Sequence, residues 1–199
     1  MNLSKNHLIF LALMTALATS LYFFELFIPK PLPFMKIGLS NIVVLILIYN
    51  LFFKEAIFVS VAKSIIGSFL SGTLFSPAFL LSISGNLLSA LVMVVVVFLL
   101  NNSFYKACLV RTPSNSKHQP PNYHLSIFGI SILGSFIHLV TQLLVLRIFI
   151  IQSDTILLLY PFIAVSSIIA GFLTGLVGYY INKSIDFIEI HNKIVISKT

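Results

Sequence analysis

Six apolar runs dominate the chain, near residues 7–28, 37–53, 55–72, 79–100, 125–151 and 156–182. A helix rises about 1.5 Å per residue and needs roughly 20 residues to cross about 30 Å of hydrocarbon. Lipid offers the backbone no hydrogen bonds, so each run is expected to be a helix that satisfies its own N–H and C=O groups. A barrel would need alternating strands of about ten residues, and these runs do not alternate. Composition agrees: 58% of the 199 residues are hydrophobic and only 9% are charged, where a soluble domain carries about 25%. Such a chain cannot wet a globular surface, and it is neither a disordered nor a fibrous sequence. The expected fold class is all-α: a polytopic membrane protein of six transmembrane helices, forming one domain over 1–199. The second and third runs are the shortest and are expected to join at a tight Lys54-Glu55 turn. Lys5 and Ala16-Leu17-Ala18 imitate a secretory leader, but the run continues through Ile28, too long for a signal core, and is read as the first helix.

The net charge is +7, from twelve Lys or Arg against five Asp or Glu. No basic cluster interleaved with aromatics appears, so nucleic acid is not an expected partner. The positive-inside rule accounts for the excess. With the N-terminus inside, Lys5, Lys54, Lys106, Arg111, Lys117, Lys183, Lys193 and Lys198 fall on the inner side. Lys30 and Lys36 fall outside, with Arg147 near the outer end of the fifth helix. Both termini are therefore expected in the cytoplasm, together with a solvated linker at 101–124 that carries Pro113, Pro120 and Pro121. Cys108 is the single cysteine, so no internal disulfide forms.

Polar groups inside the runs gather in the outer half. An ionisable side chain deep in a span costs about 2.5–3.5 kcal/mol and calls for a reason. Glu25 ends the first run; Lys36 and Asn41 begin the second; Lys63 sits near the middle of the third. Ser84 and Asn86 lie in the outer third of the fourth, and His138 and Gln142 share a face of the fifth at a spacing of four. Lys63 shares its face with Ser60, Ser64, Gly67 and Ser71, small residues that let helices approach. Each has a plainer reading. Glu25 and Lys36 can form an interfacial ion pair or snorkel to water. His138 can bond a neighbouring carbonyl, and Asn41 and Asn86 can make weak interhelical bonds. Taken together, costly groups at one depth on five helices point to a polar cavity that opens outward.

The Pro29-Lys30-Pro31-Leu32-Pro33 connection is too proline-rich to continue a helix and suits a stiff cover for such a cavity. Gly72–Pro77 is uncharged and suits its rim. Ala12 and Ala16 form one small-residue pair, and Gly171, Gly175 and Gly178 form another stripe, for which packing within the chain is the simpler use. No Gly-x-x-x-x-Gly-Lys-Ser/Thr loop exists to drive transport with ATP. Neither a zinc motif nor a carboxylate cluster for Mg²⁺ occurs, so no metal or other cofactor is expected. No nucleophilic triad can be assembled, and the chain is not expected to be an enzyme.

Glu25-x-x-x-Pro29, Lys36-x-Gly38-Leu39-x-Asn41-Ile42, Ser71-Gly72-Thr73-x-Phe75-Ser76-Pro77 and Ser84-Gly85 resemble the bacterial Gx transporter family, often labelled heptaprenyl diphosphate synthase component I. The match is densest over 25–86 and thinner over His138-x-x-x-Gln142, Pro161 and Gly171-x-x-Thr174-Gly175. That family looks like the substrate-binding subunits of energy-coupling-factor transporters. The resemblance implies a six-helix fold, an outward pocket with the first loop as lid, and docking of Ala12 and Ala16 on a transmembrane coupling subunit that works with ATPase subunits. Lys63 stands where arginine is expected, and Leu139 and Asn86 where asparagine and glycine are expected, so the ligand can differ from that of relatives. The expected function is a membrane-embedded binding subunit of an importer for a small anionic or carboxylate-bearing solute. Lys36 and Lys63 would meet the anion, and Glu25, Asn41, Ser84, Asn86, His138 and Gln142 would supply further contacts. Two alternatives remain: a non-catalytic accessory subunit of the synthase, and a solitary proton-coupled carrier in which His138 titrates.

Overall fold

The structure, a computed structural model, describes residues 5–28, 38–109 and 127–184, with 101–109 and 154 described by their backbone alone. Six α-helices occur among the described residues: α1 (Lys5–Glu25), α2 (Asn41–Tyr49), α3 (Phe53–Leu70), α4 (Pro77–Leu109), α5 (Ile127–Leu146) and α6 (Tyr160–Ser184). A π-helical turn over Arg147–Ile151 and a 3-10 turn over Asp154–Leu159 link α5 to α6. Four helical segments are long and apolar enough to cross a membrane: Lys5–Glu25, Pro77–Leu100, Ile127–Ile151 and Thr155–Ser184.

The second run departs most from expectation. Its helix covers Asn41–Tyr49 rather than 37–53, about 14 Å of rise and half the hydrocarbon thickness. All seven residues from Ile42 to Ile48 are buried. A helix that is apolar on every side belongs inside protein, and α2 touches α1, α3, α4, α5 and α6. The other five pack in the order α1, α3, α4, α5, α6 around it. The turn after α2 also differs: it runs through Asn50 and Leu51, with Leu51 at φ +64, and Lys54 and Glu55 fall in the first turn of α3. Asn50 secures this end, its Nδ2 donating to Ile46 O at 2.8 Å and to Asn182 Oδ1 of α6 at 2.6 Å. At the far end of the fourth run, α4 continues to Leu109, past the expected end near 100.

Pro77 opens α4 and Pro161 lies in the first turn of α6, positions where a missing N–H loses no helical bond. Close approaches between α5 and α6 rest on glycine: a Cβ on Gly171 would lie 2.5 Å from Ile132 Cα. The Gly171–Gly175 stripe thus packs within the chain, as expected. Outward faces are apolar. Leu8, Ile9, Leu13 and Leu17 of α1, Leu88, Leu91 and Val95 of α4, and Val165, Ile168 and Ile169 of α6 are all exposed. A water-soluble monomer does not carry apolar surface on this scale, so these faces suit lipid. On α6, exposed Tyr160 is separated from exposed Tyr179 and Tyr180 by about 30 Å of helix, the spacing of the two aromatic belts of a bilayer.

Candidate functional site

The core is split. One apolar cluster joins Ile42–Ile48 of α2 to Ala56 and Val59 of α3, Ala90, Met93 and Val97 of α4, and Ile127 and Ile130 of α5. A second joins Leu81 of α4, Leu139, Leu143 and Leu146 of α5, Ile156, and Ile163 of α6. Between them runs a polar layer, and each helix crosses it in the order its direction requires. Along α3, Ser60, Lys63 and Ser64 follow Val59; along α4, Ser82, Gly85 and Asn86 precede Ala90; along α5, Ser131 and His138 follow Ile130. Buried polar residues of adjacent, oppositely directed helices therefore lie at a common depth.

The N-terminal end of α2 lies in this layer. Lys63, ten residues into α3, is fully buried at 0% exposure. Its Nζ donates to Ser40 Oγ at 3.1 Å and to Asn41 Oδ1. Ser40 is the residue before α2 and makes no side-chain cap of its own helix; its hydroxyl serves the lysine instead. Glu25, the last residue of α1, is 2% exposed, and its Oε1 accepts the Gly38 N–H at 2.7 Å. Gly38 has φ +86, a conformation that glycine adopts without strain. A Cβ there would lie 3.2 Å from Asn41 Nδ2 and 4.0 Å from His138 Cδ2, so α1, α2, α3 and α5 converge on this point. Gln142 Nε2 lies 3.0 Å from His138 Nε2. The imidazole fits because Gly85 has no side chain: a Cβ there would meet His138 Nδ1 at 2.9 Å.

A second network lies beside the first. Ser60 Oγ donates to Asn86 O at 2.9 Å, and Asn86 Nδ2 donates to Ser64 Oγ at 2.8 Å. Tyr22 OH lies 3.0 Å from Ser68 Oγ and accepts from Ser82 Oγ at 3.3 Å. The Tyr22 ring covers Gly67, whose Cβ would lie 2.4 Å from Tyr22 Cδ1. These bonds fasten α1 and α4 to α3.

Of the expected site residues, Glu25, Asn41, Lys63, His138 and Gln142 gather around the start of α2. Asn86 belongs to the adjoining network. Ser84 faces elsewhere, bonding Leu80 O of its own helix at 2.6 Å. It stands about 200° around the helix from Asn86, so the two cannot share a face, and Ser82 is the inward serine. Lys36 and the Pro29–Pro33 loop lie outside the described residues, as do most of the 101–124 linker and the C-terminal tail. Ala12 and Ala16 are exposed and border the buried Thr15 and Thr19, each three residues further along α1. Ser40, Ser82 and Tyr22 are site residues that the sequence reading does not include, and Gly38 and Gly85 enter it only as members of the family-like motifs. Tyr22 carries a signal, since it precedes Glu25 by three and shares its face; Ser40 carries none, because its place depends on where α2 begins.

The arrangement combines the buried Lys63 amine, the buried Glu25 carboxyl group, the start of a helix and uncharged hydrogen-bonding groups. Among the described residues no three His, Cys, Asp or Glu side chains come together as metal ligands. Comparison with curated proteins gives no match, and comparison with solved structures gives none either. One family model, heptaprenyl diphosphate synthase component I, matches residues 14–110 and 114–181. That covers most of the chain and agrees with the resemblance carried by its motifs: the protein is a membrane protein of the heptaprenyl diphosphate synthase component I family, also called the Gx transporter family.

Proposed function

We propose that this chain is the membrane-embedded substrate-binding subunit of a small-molecule importer of the energy-coupling-factor type, for a solute bearing a carboxylate or other anionic group. The observation that carries the reading is Lys63, fully buried, with its ammonium on Ser40 and Asn41 at the N-terminal end of α2. A half-length helix whose positive end meets a cation deep in the protein favours an anion there. His138, Gln142 and Asn41 would orient the rest of the solute. Energy would come from a coupling subunit, received on the exposed Ala12 and Ala16 face of α1, and from ATPase subunits. Both termini would lie in the cytoplasm and the site would open outward. In a binding screen on purified protein, Lys63→Ala and His138→Ala are each expected to weaken the solute about tenfold or more, the loss of a charge-assisted or buried hydrogen bond. Unchanged affinity in both variants would refute the assignment.

The family description favours a second reading, a non-catalytic accessory component of heptaprenyl diphosphate synthase. Diphosphate chemistry through Mg²⁺ needs clustered carboxylates. The chain has five acids, and two of them, Glu25 and Glu55, are bonded to Gly38 and His7. It would assist rather than catalyse. Affinity purification separates the readings: an ATPase pair with a coupling subunit supports import, and a prenyl synthase supports the accessory role.

A further inference from the structure

We propose that Gly85 is a positioning residue of the candidate site: by carrying no side chain it seats the His138 imidazole against α4 and keeps it clear of Asn41, and so holds open the room that a solute carboxylate would enter beside Lys63. This rests on the anion-binding reading above and adds to it the residue that gauges the space. Gly85 is buried on the face of α4 that also carries the buried Ser82, Asn86 and Ser89. A Cβ there would lie 2.9 Å from His138 Nδ1, 3.0 Å from His138 Cε1 and 3.2 Å from Gln142 Cγ. Ordinary van der Waals contact begins near 3.4 Å, so a methyl group at 85 forces the imidazole to move. His138 and Gln142 are each 2% exposed, and their side chains are bonded to each other at 3.0 Å. The pair therefore shifts within packed protein and not into solvent.

The direction of that shift follows from the ring. Nδ1 and Cε1 form one edge of an imidazole, and Cδ2 lies on the other. The Nδ1–Cε1 edge faces Gly85. The Cδ2 edge faces Gly38, where a Cβ would lie 4.0 Å from Cδ2 and 3.2 Å from Asn41 Nδ2. A side chain at 85 thus drives the ring toward the segment ahead of α2 and toward Asn41, whose Oδ1 accepts from Lys63 Nζ. Gln142 cannot absorb the push, because its Cγ neighbours the same point and its amide is held on the ring. Gly85 differs in this from Gly171, which is just as tightly enclosed. A Cβ on Gly171 would strike the Ile132 backbone at 2.5 Å, so substitution there strains two helices and moves no side chain of the site. Substitution at 85 displaces the two groups that would orient the solute.

Full-length protein in detergent micelles tests this, with histidine rings isotopically labelled for NMR and acetate as the calorimetric probe. The chain has five histidines, and the His138 signal is the one lost in His138→Ala. Gly85→Ala is expected to move that signal, to leave the other four in place and to weaken acetate about tenfold, the scale of one buried hydrogen bond left unmade. Gly171→Ala, the packing control, is expected to leave the His138 signal and the acetate affinity unchanged. An unmoved His138 signal or an unchanged acetate affinity in folded Gly85→Ala overturns the proposal, as does an equal effect of Gly171→Ala; the anion site stands if Lys63→Ala still loses acetate. Acetate binding that Lys63→Ala leaves untouched, or no binding by wild type, overturns the anion-site reading and this proposal with it. Should Gly85→Ala fail to fold, the same substitution in a His138→Ala background decides: recovery of folded protein supports the clash with the imidazole, and no recovery overturns it.

Discussion

Lys63 and Gly67 stand one turn apart on α3 and serve opposite ends. Lys63 brings a charge into the protein at a desolvation cost that its bonds to Ser40 and Asn41 only offset. Methionine fills much the same space without charge. Lys63→Met is expected to lose the anion and, because Ser40 Oγ and Asn41 Oδ1 are left without their donor, to melt below wild type in detergent; an unchanged Tm would mean that those two bonds add nothing to the fold. Gly67 is all packing. A Cβ would strike Tyr22 Cδ1, Cε1 and Cγ at 2.4, 2.7 and 2.9 Å, and a ring held by its hydroxyl on Ser68 has little room to swing. Gly67→Ala should destabilise by about 1–3 kcal/mol, the range for overpacking. Adding Tyr22→Ala should recover part of that loss in a double-mutant cycle read by denaturant unfolding.

At the scale of elements, helix contacts differ in how much they can yield. Gly134 and Gly171 both lie in tight interfaces, but their neighbours are unlike. The Gly134 Cβ would meet Met93 Sδ at 2.3 Å, a flexible side chain, whereas the Gly171 Cβ would meet the Ile132 backbone at 2.5 Å. Methionine can change rotamer; a helix backbone must move as a body. Gly171→Ala is expected to lower stability by about 1–3 kcal/mol and Gly134→Ala by less than about 1 kcal/mol, measured side by side as unfolding midpoints. The reverse ranking would show that α5 and α6 slide apart more easily than Met93 repacks. The central element, α2, is the opposite of a lipid-facing helix: every residue from Ile42 to Ile48 is buried, so it acts as a post inside the bundle with the candidate site on its end.

For the whole molecule, the exposed apolar faces and the tyrosines at either end of α6 set the protein in a bilayer, and the proposed orientation can be checked with thiols. In a Cys108→Ser background, Phe75→Cys places a thiol at the 99% exposed tip of the α3–α4 loop, and Ser116→Cys places one in the expected cytoplasmic linker. A membrane-impermeant maleimide is expected to label position 75 in intact cells and position 116 only after permeabilisation. The opposite pattern would turn the molecule over and direct the site to the cytoplasm.

Hydropathy dictated the helical class, the membrane as solvent and the rough limits of most helices, because lipid demands long apolar segments whose backbones bond internally. Intramembrane polarity likewise singled out Glu25, Lys63, His138 and Gln142, since such groups are too costly to be incidental. Folding decided what one-dimensional patterns do not hold. A run apolar on all sides reads the same whether lipid or protein surrounds it, so hydropathy predicts a span over 37–53 where the structure has a short, enclosed α2. Helix rotation is also invisible when most positions are apolar, so the sequence does not tell that Ser82, and not Ser84, shares the buried face of Asn86. The seating of Glu25 on Gly38, and of Lys63 on Ser40 and Asn41, depends on where α2 begins inside the bundle. That point is set by five neighbouring helices packing around it and not by any residue in its own run.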